Sequence, residues 1–193
     1  MVSWFARYDE LPENFERVFQ SWDTASKTGE RNSYSVCTTW GIKGKHIYLI
    51  DVFRKRLEYP DLKRAVREQA VIHRPSLILV EEKSSGAALL QELKREDLYI
   101  LREVKPKGSK EMRMSEQTAL IEGGFVHLPK NAPWLQAYEF ELMLFPIGKH
   151  DAQADSTSQA LSHFQERLQE PGLIAFYRME CEWMGIKVPG MDN

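Results

Sequence analysis

Residues 75–83 read PSLILVEEK, and the four successive apolar residues Leu77, Ile78, Leu79 and Val80 restrict the fold more than any other stretch. Neighbouring side chains on a strand point to opposite faces, so a strand with one wet face alternates apolar and polar residues. An unbroken apolar strand has protein on both faces, as a parallel strand sandwiched by helices does. The flanks agree. Upstream, PDLKRAVREQAVIH spaces Leu62, Ala65, Val66 and Ala70 as one helix face and opens on Pro60, which suits a first helical turn. Downstream, SSGAALLQELKRE reads as a second helix with Ser84 or Ser85 as its N-cap. The other segments extend the alternation. RVFQSWDTAS runs as a strand into a loop, and SYSVCTTWGIKGKHIYLIDVFR forms two β-rich runs around Lys43-Gly44-Lys45, a hairpin signal. DLYILREV is a further strand, SKEMRMSEQTALIEGG a helix stopped by Gly123-Gly124, and FVHLP a short extended piece. Leu135, Tyr138, Leu142 and Phe145 form one stripe of a later helix, and DAQADSTSQALSHFQERLQ is the last strong one. The expected fold is therefore α/β: a mixed sheet, antiparallel hairpin strands followed by parallel strands, with helices on both faces.

This order is also that of ribonuclease H-like folds. The 193 residues suit one domain with its own core, expected over residues 17–170. Residues 1–16 read as a linker, and residues 171–193 as a C-terminal helical segment with a loose tail. A chain with 42% hydrophobic and 28% charged residues falls in the ordinary globular range. No apolar run approaches the roughly 18 residues of a membrane span. The N-terminus lacks a basic start and an apolar signal core, so no membrane association and no export are expected. Cys37 and Cys181 stand alone without zinc-ligand spacing. With a net charge of −2, the chain is not broadly basic, so nucleic-acid binding would need local patches or a divalent ion.

Acids gather where apolar structure meets polar loop. Asp23 follows VFQSW, Glu81 and Glu82 follow LILV, and Asp151 and Asp155 open the last helix. Open α/β sheets bind ligands at the carboxyl ends of their strands. Carboxylates brought together there repel one another, and hard divalent cations relieve the repulsion. Two such ions about 4 Å apart can clamp the attacking and leaving oxygens of a phosphoryl displacement. Asp23 alone reads more readily as a solvated loop residue, and Asp151 alone equally as an acid favoured by a helix N-terminus.

Taken together, SWDTA, the hairpin with YLIDVFRKRLEYPDLKRAV, LILVEEKSSGAALLQEL and GKHDAQADSTSQAL resemble the C-terminal nuclease domain of the large terminase subunit of tailed bacteriophages and prophages. The likeness runs from about residue 17 to residue 165, in the family's order. It implies a ribonuclease H-like endonuclease that cuts concatemeric viral DNA during genome packaging, in the cytoplasm of the bacterial host. It implies two Mg2+ or Mn2+ ions, held by Asp23 from the first strand, Glu81 from the central strand (Glu82 being the less favoured choice), and Asp151 and Asp155 from the closing motif. His150 would neighbour that site. The implied partners are double-stranded DNA, the ATPase domain of the same subunit, the small terminase subunit and the portal protein. The closing motif of the family often reads His-Asp-Asp, and its third position here is Ala152. The site then works with Asp151 or Asp155 instead, or the chain is naturally weakened, or an acid has been replaced.

No GxxxxGK[ST] loop occurs, so ATP binding is not expected on this domain. For the DNA backbone the candidates are Arg102, Lys105, Lys107, Lys110 and Arg113, in REVKPKGSKEMR. Further candidates are the cluster Arg54, Lys55, Arg56, Lys63 and Arg64, which reads more readily as solvated surface, the hairpin tip Lys43–Lys45, and Ser85 near a helix N-terminus.

Overall fold

The computed structural model describes residues 2–25, 33–81, 84–96, 98, 100–169, 181 and 183, without the side chains of 84–87. Glu82, the side chain of Ser85 and nearly all of segment 171–193 lie outside the described residues. Among the described residues, seven strands form one sheet: β1 (Ala6–Tyr8), β2 (Arg17–Asp23), β3 (Ser35–Lys43), β4 (His46–Lys55), β5 (Leu77–Glu81), β6 (Leu101–Val104) and β7 (Val126–Pro129). Their spatial order is β1-β7-β4-β3-β2-β5-β6. β3 runs antiparallel to both β2 and β4, and every other neighbouring pair is parallel. The hairpin between β3 and β4 turns at Gly44, whose φ of 59° favours glycine. Among the described residues, no helix is long and apolar enough to cross a membrane.

The helices are α1 (Tyr59–His73), α2 (Ser84–Arg95), α3 (Lys110–Glu116), α4 (Thr118–Glu122), α5 (Leu135–Leu144) and α6 (Ala152–Gln169). The apolar run of β5 splits as its pleat dictates. Leu77 and Leu79 join a core built with α5 and α6, while Ile78 and Val80 join a second core with α1 and α2. Trp40 and Trp22 are fully buried, one in each core. Both faces of the sheet are thus covered, as the unbroken run required.

Two features depart from expectation. The helix expected over 109–124 breaks at Gln117, because the buried Gln117 side chain turns inward and donates to Ser162 Oγ at 3.0 Å on α6. Within the stretch expected as linker, residues 6–8 add β1 to the open edge of β7, and Tyr8 OH donates to Leu49 O at 2.6 Å. Buried Phe5 packs in the core beside it.

α6 crosses β2 and β3 through small polar side chains. Residues 152–161 are all buried although six of them, Gln153, Asp155, Ser156, Thr157, Ser158 and Gln159, would read as polar surface. The hydroxyls satisfy each other in series. Trp40 Nε1 donates to Thr38 Oγ1 at 2.7 Å, Thr38 Oγ1 lies 2.7 Å from Ser156 Oγ, and Ser156 Oγ donates to Ser21 O at 2.8 Å. Ser21 Oγ donates back to Ser156 O at 2.8 Å and accepts from Gln159 Nε2 at 2.8 Å. Each hydroxyl donates once, so Thr38 is the donor to Ser156. Removing one partner leaves buried polar atoms unsatisfied. Ser156→Ala is therefore expected to cost about 1–3 kcal/mol, whereas Ser158→Ala, which loses only a local bond to Asp155 O, costs less. Urea unfolding of the two variants checks the difference.

Candidate active site

Asp23 and Glu81 are the last residues of β2 and β5. Those strands are parallel neighbours with Trp22 opposite Val80, so the residues that follow stand side by side. By the pleat, Asp23 shares a face with Ser21 and Phe19, and Glu81 with Leu79 and Leu77. That face is the one under α6. The helix runs back along β2: the His163 ring lies 5.2 Å from Phe19, Ser156 and Gln159 bond Ser21, and the first turn of α6 extends toward Asp23. Asp23, Glu81 and Asp155 are all buried, at 6%, 6% and 2% exposure. Asp151 lies just ahead of α6 and is half-exposed, and its carbonyl accepts from Asp155 N at 2.8 Å.

Asp151 and Asp155 are one helical turn apart, and a cation relieves their repulsion. Lys110 Nζ lies 2.7 Å from Asp151 Oδ2 and 2.5 Å from Asp155 Oδ2. Arg113 donates to the other oxygen of Asp155, Oδ1, at 3.1 Å. Burial pulls the Lys110 ammonium toward neutrality, but the two carboxylates overcome it and hold its pKa well above the ordinary lysine value. Lys110 and Arg113, expected at the DNA backbone, thus turn inward to the acids. Both oxygens of Asp155 are directed at these cations, and among the described residues no three His, Cys, Asp or Glu side chains are arranged as a metal-holding group.

The N-terminus of α6 is fixed by a residue that carried no sequence signal of its own. Glu141 of α5, buried at 5% exposure, accepts from Gln153 N at 2.6 Å and Gln153 Nε2 at 2.7 Å. Arg54 balances its charge at 3.3 Å. Glu141 stands three residues after Tyr138 and so beside the apolar stripe of α5, the one pattern that could have drawn notice to it. Ala152 packs against the apolar core. His150 meets Tyr34 edge-on at 5.2 Å, and the Arg54 and Arg56 guanidiniums lie 3.7 and 4.5 Å from the Tyr34 ring centre.

Parallel topology decides which basic residues share the acid edge. β2, β4, β5 and β6 all point the same way, so Lys55 and Arg56 at the end of β4, and Lys105 and Lys107 after β6, stand at the same edge as Asp23 and Glu81. Lys105 and Lys107 are exposed there. The hairpin tip lies at the opposite end, because Ile42 pairs with Arg17 at the start of β2 while Val36 pairs with Asp23. Lys43–Lys45 is therefore remote from the acids.

A sheet order with acids at the ends of two adjacent parallel strands, under a helix that brings further acids, defines the ribonuclease H-like class. Residues 20–164 match the family described as the terminase RNase H-like domain, and the chain belongs to that family. Among solved structures, the zinc-bound large terminase nuclease from thermophilic phage G20c is 16% identical, with a TM-score of 0.64 over 83% of this chain and 95% of that one. The nuclease domain of the Thermus phage P74-26 large terminase is 15% identical, with a TM-score of 0.61 over 85% and 93%. A large terminase from a thermophilic bacteriophage in complex with ATP-gamma-S is 11% identical, with a TM-score of 0.64 over 83% of this chain and 44% of that one, so the chain spans less than half of that protein. These likenesses give the fold of large terminase nuclease domains. No curated protein sequence is similar enough to count as a relative.

The exposures set an order of stability effects. The Asp155 side chain is 1% exposed and the Asp151 side chain 41%. Breaking a buried ion pair from one side costs about 3–5 kcal/mol, whereas an exposed pair is worth about 1 kcal/mol or less. Asp155→Ala is expected to destabilise strongly and Asp151→Ala weakly, measured by urea unfolding without divalent ions.

Proposed function

We propose that this chain is a metal-dependent DNA endonuclease domain of a phage terminase large subunit, cutting concatemeric viral DNA during genome packaging in the host cytoplasm. The observation that carries the reading is the adjacency of Asp23 and Glu81 at the ends of two parallel strands, beneath the helix that carries Asp155, in a chain of the terminase RNase H-like family. The donors are all carboxylate oxygens, which suit hard divalent cations such as Mg2+ or Mn2+. A cation, the Lys110 ammonium, already sits between two of the acids. Structures of the G20c terminase nuclease contain zinc, magnesium or cobalt, which supports divalent ions as the cofactor.

Asp23, Glu81, Asp155 and Asp151 would hold two ions. When bound, such ions supply a water of lowered pKa and neutralise charge on the attacking and leaving oxygens. The protein's own residues do the rest. The hydrogen-bonded seat of α6 fixes the carboxylates of that helix relative to the sheet. Lys105 and Lys107 on one side, and Lys55 and Arg56 on the other, attract the phosphate backbone to the acid edge. The contacts expected here are to the DNA backbone, so cutting is expected to show little sequence preference. The ATPase domain, the small subunit and the portal protein are the partners this function requires.

Two measurements test the reading. Supercoiled plasmid is expected to be nicked with Mn2+ or Mg2+, and Asp23→Asn and Glu81→Gln to slow nicking by at least about a hundredfold while remaining folded. Selective cleavage of four-way junctions would point to a resolvase instead, and no cleavage with any divalent ion to a docking domain. Separately, Lys105→Glu with Lys107→Glu is expected to weaken DNA binding and to lower its salt slope by about two. Lys43→Glu with Lys45→Glu, at the far end of the sheet, is expected to leave both unchanged.

A further inference from the structure

We propose that Lys110 is the resident counter-ion of the acid edge, holding the place of a divalent ion between Asp151 and Asp155 and giving it up when the ion binds. The inference rests on the reading of these acids as metal-holding residues. It follows from how charge and access are divided between Lys110 and Arg113.

Asp151 and Asp155 carry two negative charges, and Lys110 and Arg113 return two positive ones, so the four side chains balance among themselves. The two cations are not equivalent. Arg113 is 13% exposed and bonds only Asp155, through Oδ1. Lys110 is 39% exposed and bridges Oδ2 of both acids. A divalent ion that binds Asp155 needs the Oδ2 that Lys110 occupies, because Oδ1 of Asp155 remains bound to the better-shielded Arg113. A divalent ion seated against the same carboxylates would also repel the Lys110 ammonium at short range. Lys110 has the means to leave. It is the first residue of α3, preceded by the Ser109 N-cap and by the exposed loop with Gly108 at φ 75°, and its flexible stem ends beside solvent. Arg113 can stay and keep α3 against α6 while the ammonium swings out.

The consequence is measurable without any cleavage. Mn2+ binding to the whole chain is titrated by electron paramagnetic resonance for the wild type, Lys110→Met, Lys110→Gln, Lys107→Met and Asp155→Asn, with circular dichroism to confirm folding. Both Lys110 variants are expected to bind Mn2+ about five- to tenfold more tightly than the wild type, since the ion no longer breaks an existing pair. Lys107→Met removes an equal charge nearby from an exposed loop position and is expected to change affinity less than about twofold. Asp155→Asn is expected to lose most of the binding. If Asp155→Asn binds like the wild type, the acids are not the metal ligands and the functional reading fails together with this inference. If Asp155→Asn loses binding but the Lys110 variants bind no more tightly than the wild type, or Lys107→Met gains as much, the acids hold the ion and the exchange is overturned.

Discussion

The seat of α6 on β2 and β3 is the interaction on which the rest of the arrangement depends. It is made of an indole, three hydroxyls and an amide: Trp40, Thr38, Ser156, Ser21 and Gln159 pass hydrogen bonds from the sheet to the helix and back. Small side chains let the helix approach the strands closely, and directional bonds fix its rotation and its position along its axis more narrowly than apolar contact does. That matters because α6 brings its acids to a sheet edge whose own acids are set by β2 and β5. A shift of one residue along the helix would send Asp155 to another face.

Charge at that edge is arranged as carefully as the backbone. Glu141 accepts from the backbone and side-chain amides of Gln153 in the first turn of α6 and is balanced by Arg54, which also lies over Tyr34. Asp155 is balanced by Lys110 and Arg113 from α3. Glu141 and Asp155 are thus each matched by cations from other segments, so the segments around the edge are held together through them. Burying such charges is costly and pairing mainly offsets the cost, so the pairs are better explained by what they position than by net stability.

Much of the layout was legible in the chain itself. The unbroken LILV run announced a doubly covered strand, Lys43-Gly44-Lys45 announced the hairpin, and Pro60 and Gly123-Gly124 marked helix ends that the structure retains. The acids at strand ends were visible as well, since a residue's place after an apolar run is a local property. Other features were not legible. The polar stretch QADSTSQ reads as a solvated face yet is buried, because its partners lie more than a hundred residues away in sequence. The break at Gln117 depends on Ser162, and the strand at Ala6–Tyr8 depends on an edge that only β7 creates. The KPKGSKEMR run looked uniformly suited to phosphate, but α3 turns Lys110 and Arg113 inward and leaves Lys105 and Lys107 outside.

By itself the sequence determined the types and order of the elements, and the residues able to carry chemistry, because hydrophobic period, turn residues and acid placement are written within a few positions of one another. The tertiary structure alone decided which charges meet. Strand direction put the hairpin tip at one end of the sheet and Asp23 at the other, and helix packing set Lys110 between two aspartates some forty residues further on. Electrostatic energy depends on distance through space, and a chain's local pattern does not encode that distance.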